Sequence, residues 1–304
     1  MNVLIVKTSS LGDLLQIFPT LSYLKKRGAT IDWVVEKRFE ELALAHPDIN
    51  AVITIDSKAW PKGLLNLRKM PHYDLVIDLQ GNCKSGLVTF LAKAKQKVGF
   101  TLKTCAEWPN VFATNKRYCL DLSANAAESY LQVVQKHFGD TVPFVYRGTE
   151  LKLTDPVPDV SSEAFMICSG SAWPSKQLLP TTWKKIEEAL NAPIYIVSPD
   201  QRLPLPVWQA LMRKVKGVIA LDSAALHLCA TTNTPSFSIF GPSNPHVYKP
   251  KGDHHQFFWG TCPFNKQFER RCPILRTCSA PCTKQMDEEA LTDALIQWLN
   301  CRFC

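Results

Sequence analysis

Three short stretches of the chain place residues capable of proton or phosphate chemistry beside the small residues that such chemistry needs. The first, Lys7-Thr8-Ser9-Ser10-Leu11-Gly12-Asp13, puts a carboxylate where a loop passes into a helix. Backbone N–H groups and small hydroxyls at such a junction can hold an anion, and a carboxylate can take a proton from a hydroxyl. Asp is also a favoured N-cap, and taken alone Asp13 reads as a cap before it reads as a base. The second, Ser169-Gly170-Ser171-Ala172-Trp173-Pro174-Ser175-Lys176, offers glycine flexibility, hydroxyls and one lysine. That set suits a diphosphate, because a cation beside a leaving phosphate gains strength as charge develops. A plain surface loop with a solvated lysine is the other reading. The third, Leu221-Asp222-Ser223-Ala224-Ala225-Leu226-His227-Leu228, runs from strand to helix with Asp222 or Ser223 in capping range. Its free amides and helix dipole make a second anion site, and His227 either belongs to that site or is a satisfied core histidine.

The elements that must position these loops are strands with continuous apolar runs. Asn2–Val6, Ile31–Val35, Ala51–Ile55 and Leu75–Leu79 read as buried strands, separated by helix-like segments such as Phe39–Ala45 and Lys84–Lys93. A second alternating block has strand candidates at Phe165–Cys168, Ile194–Val197, Val218–Leu221 and Ser236–Phe240. Its helix candidates are Thr182–Leu190, Pro206–Val215, Ala224–Thr231 and Asp287–Leu299. This α/β alternation implies two parallel-sheet domains. The irregular stretch at 142–163 marks the boundary, giving expected domains of 1–155 and 156–304, the latter with a Cys-rich segment at 262–282. Ligands of such sheets sit beyond the carboxyl ends of strands, which singles out the loops after Val6, Cys168 and Leu221. No G-x-G-x-x-G and no G-x-x-x-x-G-K-[ST] follows the first strand, so dinucleotide and P-loop readings lose their main support.

The 304 residues are 46% hydrophobic and 20% charged, an ordinary globular composition. No apolar run approaches the ~20 residues of a membrane span, and no basic region precedes the first apolar stretch, which predicts a cytoplasmic chain. Eleven cysteines in a chain of this size read as mostly reduced thiols. Cys262, Cys272, Cys278 and Cys282 could form a tetrahedral zinc site, but they lack paired C-x-x-C spacing and read as free structural thiols, with Cys301 and Cys304 unexplained. The net charge of +8 favours an anionic partner, whether nucleic acid, an acidic lipid surface or a phosphorylated substrate. Lys93, Lys95 and Lys97 either meet anionic headgroups or solubilise a helix end.

Taken jointly and in order, the Lys7–Asp13 stretch, Asp78-Leu79-Gln80-Gly81-Asn82-Cys83-Lys84-Ser85, Val98-Gly99-Phe100, Ser169–Lys176, and Asp222–Leu228 with Phe240-Gly241-Pro242-Ser243-Asn244-Pro245 form a distinctive set. The set resembles the lipopolysaccharide heptosyltransferases of glycosyltransferase family 9, and the resemblance covers nearly the whole chain. It implies a GT-B fold, two Rossmann-like domains facing across a cleft, with the acceptor on the N-terminal domain and ADP-heptose on the C-terminal one. It implies Asp13 as general base and Lys176 at the donor phosphates, supported by Ser169, Gly170 and Ser171, with Asp222, Ser223, Ala224 and His227 forming the donor-binding loop. Ser10, Gly12, Gln80 and Lys84 fall on the acceptor side. The implied reaction is single-displacement transfer with inversion, without metal or other cofactor, onto the Kdo region of lipid A core. The implied setting is peripheral, on the inner face of the inner membrane, with no nucleic-acid partner.

The chain departs from the family pattern in several places. Ala224 stands where the family usually has glycine, Gln16 where close homologues often have histidine, and Ala106 where an acceptor-binding arginine is expected. Between Val197 and Val218 there is room for one helix, where the family usually places an additional helix and strand. A family 9-like enzyme using another nucleotide sugar, or a non-catalytic GT-B-like binding protein, therefore stands beside the leading expectation.

Overall fold

In a computed structural model the chain divides into two compact units, Met1–Leu122 with Ala126–Lys152, and Ser123–Asn125 with Leu153–Cys304. The structure describes residues 1–56, 59, 67, 70–198, 201, 203–265 and 268–303, so Cys304 lies outside the described residues.

The first unit alternates β1 (Asn2–Val6), α1 (Leu11–Gln16), α2 (Phe18–Lys26), β2 (Thr30–Glu36), α3 (Glu40–Ala45) and β3 (Ile49–Ile55). It continues through β4 (His72–Asp78), α4 (Cys83–Leu91), β5 (Lys93–Phe100), β6 (Lys116–Tyr118) and α5 (Ala126–Phe138). The strands pair in the order β3-β2-β1-β4-β5-β6, all parallel. β1 is apolar throughout after Asn2 because both its faces are covered. Leu4 and Val6 pack with Val34, Val76 and Val88 of α4, while Trp33, in register with Ile5, meets Phe18 of α2 edge to face at 6.5 Å.

The second unit runs β7 (Phe165–Cys168), α6 (Pro180–Leu190), β8 (Ile194–Val197), α7 (Leu205–Lys214), β9 (Gly217–Leu221) and α8 (Ala224–Cys229). It closes with β10 (Ser236–Phe240), α9 (Pro245–Tyr248), β11 (His255–Trp259), α10 (Pro281–Lys284) and α11 (Glu288–Phe303). The sheet order is β11-β10-β9-β7-β8, again parallel throughout. Phe165, Ile167, Ile219, Leu221, Phe237 and Ile239 share a core with Ile186 and Leu190 of α6 and with Leu291, Leu295 and Trp298 of α11. Between β8 and β9 the described residues hold one helix, α7.

The expected helix Lys84–Lys93 is shorter. It stops at Leu91 because Ala92 turns extended (φ −65°, ψ 137°), and Lys93, Lys95 and Lys97 then lie on strand β5 rather than at a helix end. β6 and β11 carry no strong alternation in the sequence, whereas α5 is amphipathic and buries Ala126, Tyr130, Leu131, Val133 and Val134; all three add to the expected elements. Among the described residues no helix is long and apolar enough to cross a membrane.

Candidate functional site

In each sheet the chain reverses its direction of strand addition once, beside the singled-out loop after β1 in the first sheet and between the two singled-out loops after β7 and β9 in the second. In the first sheet β2 and β3 lie on one side of β1, and β4 follows on the other. In the second, β8 lies on one side of β7 and β9 on the other. The carboxyl ends of strands flanking such a reversal leave a crevice, because successive connections depart to opposite sides.

In the first unit, Val6 and Asp78 end β1 and β4 in register. The side-chain carbonyl of Gln80 accepts from the amides of Thr8 at 3.1 Å and Ser9 at 3.2 Å, which ties the loop after β4 to the loop after β1. Ser10 is the N-cap of α1, so Asp13 is not the cap but the third helical residue. Its Oδ2 accepts from the Ser10 amide at 3.1 Å and the Ser10 hydroxyl at 2.6 Å, as in a capping box. The amides and hydroxyl expected to be available for an anion are therefore engaged, by Gln80 and by Asp13. Gly12 lies in the first turn of α1, and Lys84 is exposed in the first turn of α4.

Beneath this loop lies a polar layer that sequence reasoning missed. Asp78, fully buried, accepts through Oδ1 from the amides of Gln80 (2.8 Å) and Gly81 (2.9 Å). Through Oδ2 it accepts from Ser85 Oγ (2.8 Å), Thr89 Oγ1 (3.3 Å) and Asn110 Nδ2 (2.6 Å). Gly81 adopts φ +76°, and a Cβ there would also strike the Phe100 ring, so only glycine completes this turn. Lys7, buried at the end of β1, donates to Tyr130 Oη at 3.1 Å. Burial alone would lower the Lys7 pKa, but Tyr130, Asp13 and Asp78 outweigh it and raise the value above the ordinary lysine range. An ammonium is thus fixed behind the Asp13 loop.

In the second unit, the loops after β7 and β9 are joined by a buried ion pair. Lys176 Nζ donates to Asp222 Oδ2 and to the Asp222 carbonyl at 3.3 Å. Burial would push the Asp222 carboxyl up, yet Lys176 and then His227 hold it below the usual carboxylate range. Ser223 is the N-cap of α8, with Ala224 opening the helix. The Ser223 hydroxyl is buried with no hydrogen-bond partner among the described residues. Ser169 and Gly170 are half-buried, and Ser171 Oγ accepts from the Trp173 amide at 3.3 Å. The structure thus brings Ser169–Lys176 and Asp222–His227 to one strand-end crevice. His227 is buried and charge-coupled to Asp222.

The Cys-rich segment and the residues flanking it, Trp259 and Thr283, buttress this crevice. Thr283 Oγ1 donates to the Ser175 carbonyl at 3.0 Å, and a Cβ on Gly241 would collide with that same Thr283 hydroxyl. Trp259 Nε1 donates to the Gly241 carbonyl at 2.9 Å, and the Cys272 amide to the Pro242 carbonyl at 2.8 Å. Cys262, Cys272, Cys278 and Cys282 line one small apolar cavity with Phe264 and Phe268. They are free thiols, and burial pushes the Cys282 thiol up. Among the described residues no group of three or more His, Cys, Asp or Glu side chains is arranged to hold a metal ion.

The model of glycosyltransferase family 9 (heptosyltransferase) matches residues 66–199 and 172–277. Lipopolysaccharide heptosyltransferase 1 of Pseudomonas aeruginosa is 27% identical over 285 residues, covering 81% of this chain and 80% of that one. The protein of the same name from Escherichia coli K12 is also 27% identical, covering 81% and 89%. Among solved structures, E. coli heptosyltransferase WaaC with ADP superposes with a TM-score of 0.76 at 22% identity, over 98% of this chain and all of that one. E. coli ADP-heptose lps heptosyltransferase II gives 0.72 at 16% identity, over the whole of both chains. These structural likenesses establish a GT-B-type fold of two parallel-sheet units.

Proposed function

The chain belongs to glycosyltransferase family 9, and from that premise we propose that it transfers heptose from ADP-heptose to the Kdo region of a lipopolysaccharide inner core. Asp13 is the general base. Its Oδ2 is oriented by two hydrogen bonds from Ser10, and the carboxylate takes the proton of an acceptor hydroxyl as that oxygen attacks the anomeric carbon. The bond to the diphosphate breaks on the opposite side, so the sugar inverts and ADP leaves. Ser10, Gly12, Gln80 and Lys84 form the acceptor side.

Lys176 meets the charge that develops on the leaving diphosphate. Ser169, Gly170 and Ser171 line the same loop, and the N-terminus of α8 with Asp222, Ser223, Ala224 and His227 completes the donor side. The observation that carries the reading is the buried Ser223 hydroxyl, without a partner among the described residues, one residue from the carboxylate that holds the Lys176 ammonium. An unsatisfied buried hydroxyl costs stability unless a ligand completes it, and a phosphate oxygen does so.

Mass-spectrometric assay of the purified protein with Kdo-lipid A and a panel of nucleotide sugars tests the reading. One heptose is expected to be added from ADP-heptose and none from uridine or guanosine sugars. The single helix among the described residues between β8 and β9 favours one alternative, a family 9 enzyme with another donor, which transfer of a different sugar in the same panel would establish.

A further inference from the structure

Charge and exposed apolar surface concentrate in one part of the first unit. Residues 83–118 carry seven Lys and Arg against the single carboxylate of Glu107, in a chain whose whole net charge is +8. The same stretch exposes five large apolar side chains, Leu102 among them; the other four, Phe90 at 66%, Leu91 at 44%, Trp108 at 63% and Phe112 at 74%, lie on α4 or on the 3₁₀ segment Trp108–Ala113.

Their placement makes them one surface. The 3₁₀ segment Trp108–Ala113 lies along α4 and runs in the same direction. At its start Glu107 accepts from the Cys83 amide at 2.7 Å, in its middle Asn110 lies against Gly86, and just past its end Asn115 accepts from the Lys97 amide at 2.9 Å. Lys97 Nζ in turn donates to the Phe90 carbonyl at 2.9 Å. Trp108 and Phe112, four residues apart, meet edge to face at 6.0 Å. Helix α4 buries Ser85, Gly86, Val88 and Thr89 and turns Phe90 and Leu91 outward, the reverse of a helix that needs only a polar outer face. Exposed Lys93 and Lys95 follow on β5. Outward aromatics beside lysines are the composition of a surface that sits at a membrane interface, rings in the headgroup–acyl boundary and ammonium groups at lipid phosphates. Exposed rings also stack on the bases of single strands, but Leu91, outward beside Phe90, offers a base neither ring nor charge, which favours lipid over nucleic acid.

We propose that α4 and Trp108–Ala113 form a membrane-insertion face, on which Phe90, Trp108 and Phe112 enter an anionic bilayer while Lys93, Lys95 and Lys97 bind its headgroups. The inference rests on the lipid-borne acceptor of the proposed function, since an enzyme whose acceptor is anchored in a bilayer gains from docking there. Aromatic insertion also distinguishes it from simple charge attraction, which salt abolishes.

Co-sedimentation of the full chain with phosphatidylglycerol–phosphatidylethanolamine vesicles tests the proposal, at low and high salt. Phe90→Ser, Trp108→Ser and Phe112→Ser should each weaken partitioning about tenfold at both salt concentrations, and Lys93→Gln with Lys95→Gln should weaken it at low salt alone. Brominated lipids should quench part of the wild-type tryptophan emission, and that part should vanish in Trp108→Phe. Unchanged partitioning in the three serine variants overturns the proposal. So does a dimer in vesicle-free solution that the same substitutions dissociate, or single-stranded RNA binding that they abolish while lipid binding persists. Transfer to a water-soluble Kdo acceptor without a lipid tail should be the same in wild type and serine variants. Failure of wild-type transfer in that assay would count against the proposed function and leave the vesicle result independent.

Discussion

The loop after β1 is fixed by an uncharged clamp, the Gln80 carbonyl on the amides of Thr8 and Ser9, whereas the loop after β7 is fixed by a buried ion pair, Lys176 with Asp222. The two arrangements carry different risks. A neutral clamp can be weakened without leaving a charge in the interior, and the half-buried Asp13 is held by partners within its own turn. An ion pair that is 9% and 6% exposed on its two sides leaves an uncompensated charge when either partner is removed. The loop after β1 thus separates the proposed chemistry from stability, and the loop after β7 binds the two together.

Asp13→Asn is the sharpest test of that separation. Transfer should fall by about 10²–10⁴-fold, the usual contribution of a positioned general base, while ADP affinity by calorimetry and the thermal midpoint stay near wild type. Turnover close to wild type at saturating acceptor would leave Asp13 as a helix-capping residue and nothing more.

Lys176→Met and Asp222→Asn should behave otherwise. Each should lower the unfolding free energy by about 3–5 kcal/mol, read by urea denaturation, together with any loss of ADP binding. Acid should act in the same direction. Because the Asp222 carboxyl is held below its ordinary value of 3.8, its contribution is present above that value and is lost as pH falls through the folded pKa. Single variants as stable as wild type would show that the pair is a binding device alone and would dissolve the contrast between the loops.

Away from the loops the units resemble each other, since each buries a neutral histidine. His46, whose Nδ1 accepts from the Asp48 amide at 3.2 Å, is lowered from 6.5 to about 3 by burial and by Lys152. His255, 2.8 Å from Ser236 Oγ, is lowered from 6.5 to about 3 by burial and by His254, Lys249 and Arg302. The folded pKa lies below the unfolded one in both, so stability is full above pH 6.5 and declines as the unfolded chain takes up protons. At pH 5 each histidine should have cost about 2 kcal/mol. His46→Gln and His255→Gln should each flatten the slope of unfolding free energy between pH 7.5 and 5, and an unchanged slope would assign acid sensitivity to other groups.

Legibility in the sequence follows burial. β1, β7 and β9 are central strands with both faces covered, so they appear as nearly unbroken apolar runs, and β10, also central, is legible from Phe237, Ile239 and Phe240 although Ser236 and Ser238 interrupt it. β5 begins Lys93-Ala94-Lys95-Gln96-Lys97 with those residues largely exposed, and β6 is only Lys116-Arg117-Tyr118, so neither carries that signal, whereas the edge strands β3 and β8 do because Ala51–Ile55 and Ile194–Val197 are mostly apolar. The strand-end loops were readable because glycine, hydroxyl and charge cluster there. Asp13 reads as a cap in the sequence, whereas the Ser10-x-x-Asp13 spacing is the signal for its actual place as third helical residue. The Asp78 layer was not readable, because Asn110 and Thr89 reach it from 32 and 11 residues away. Nor was the Lys176–Asp222 pair, 46 residues apart.

The smallest predicted effect probes the clamp itself and separates two roles for Gln80. Gln80→Ala leaves the Thr8 and Ser9 amides without their acceptor, a loss of about 1–2 kcal/mol of local order. The expected result is a roughly tenfold fall in kcat/KM for acceptor with donor affinity unchanged, since the loop proposed to bind the donor belongs to the other unit. Gln80→Glu keeps two acceptor oxygens for those amides but removes the side-chain NH₂, which makes no hydrogen bond among the described residues. If Gln80 acts through the loop, Gln80→Glu should restore most of what Gln80→Ala loses. If the NH₂ instead meets the acceptor sugar, Gln80→Glu should raise the acceptor KM as much as Gln80→Ala does, and the clamp would then be incidental to catalysis.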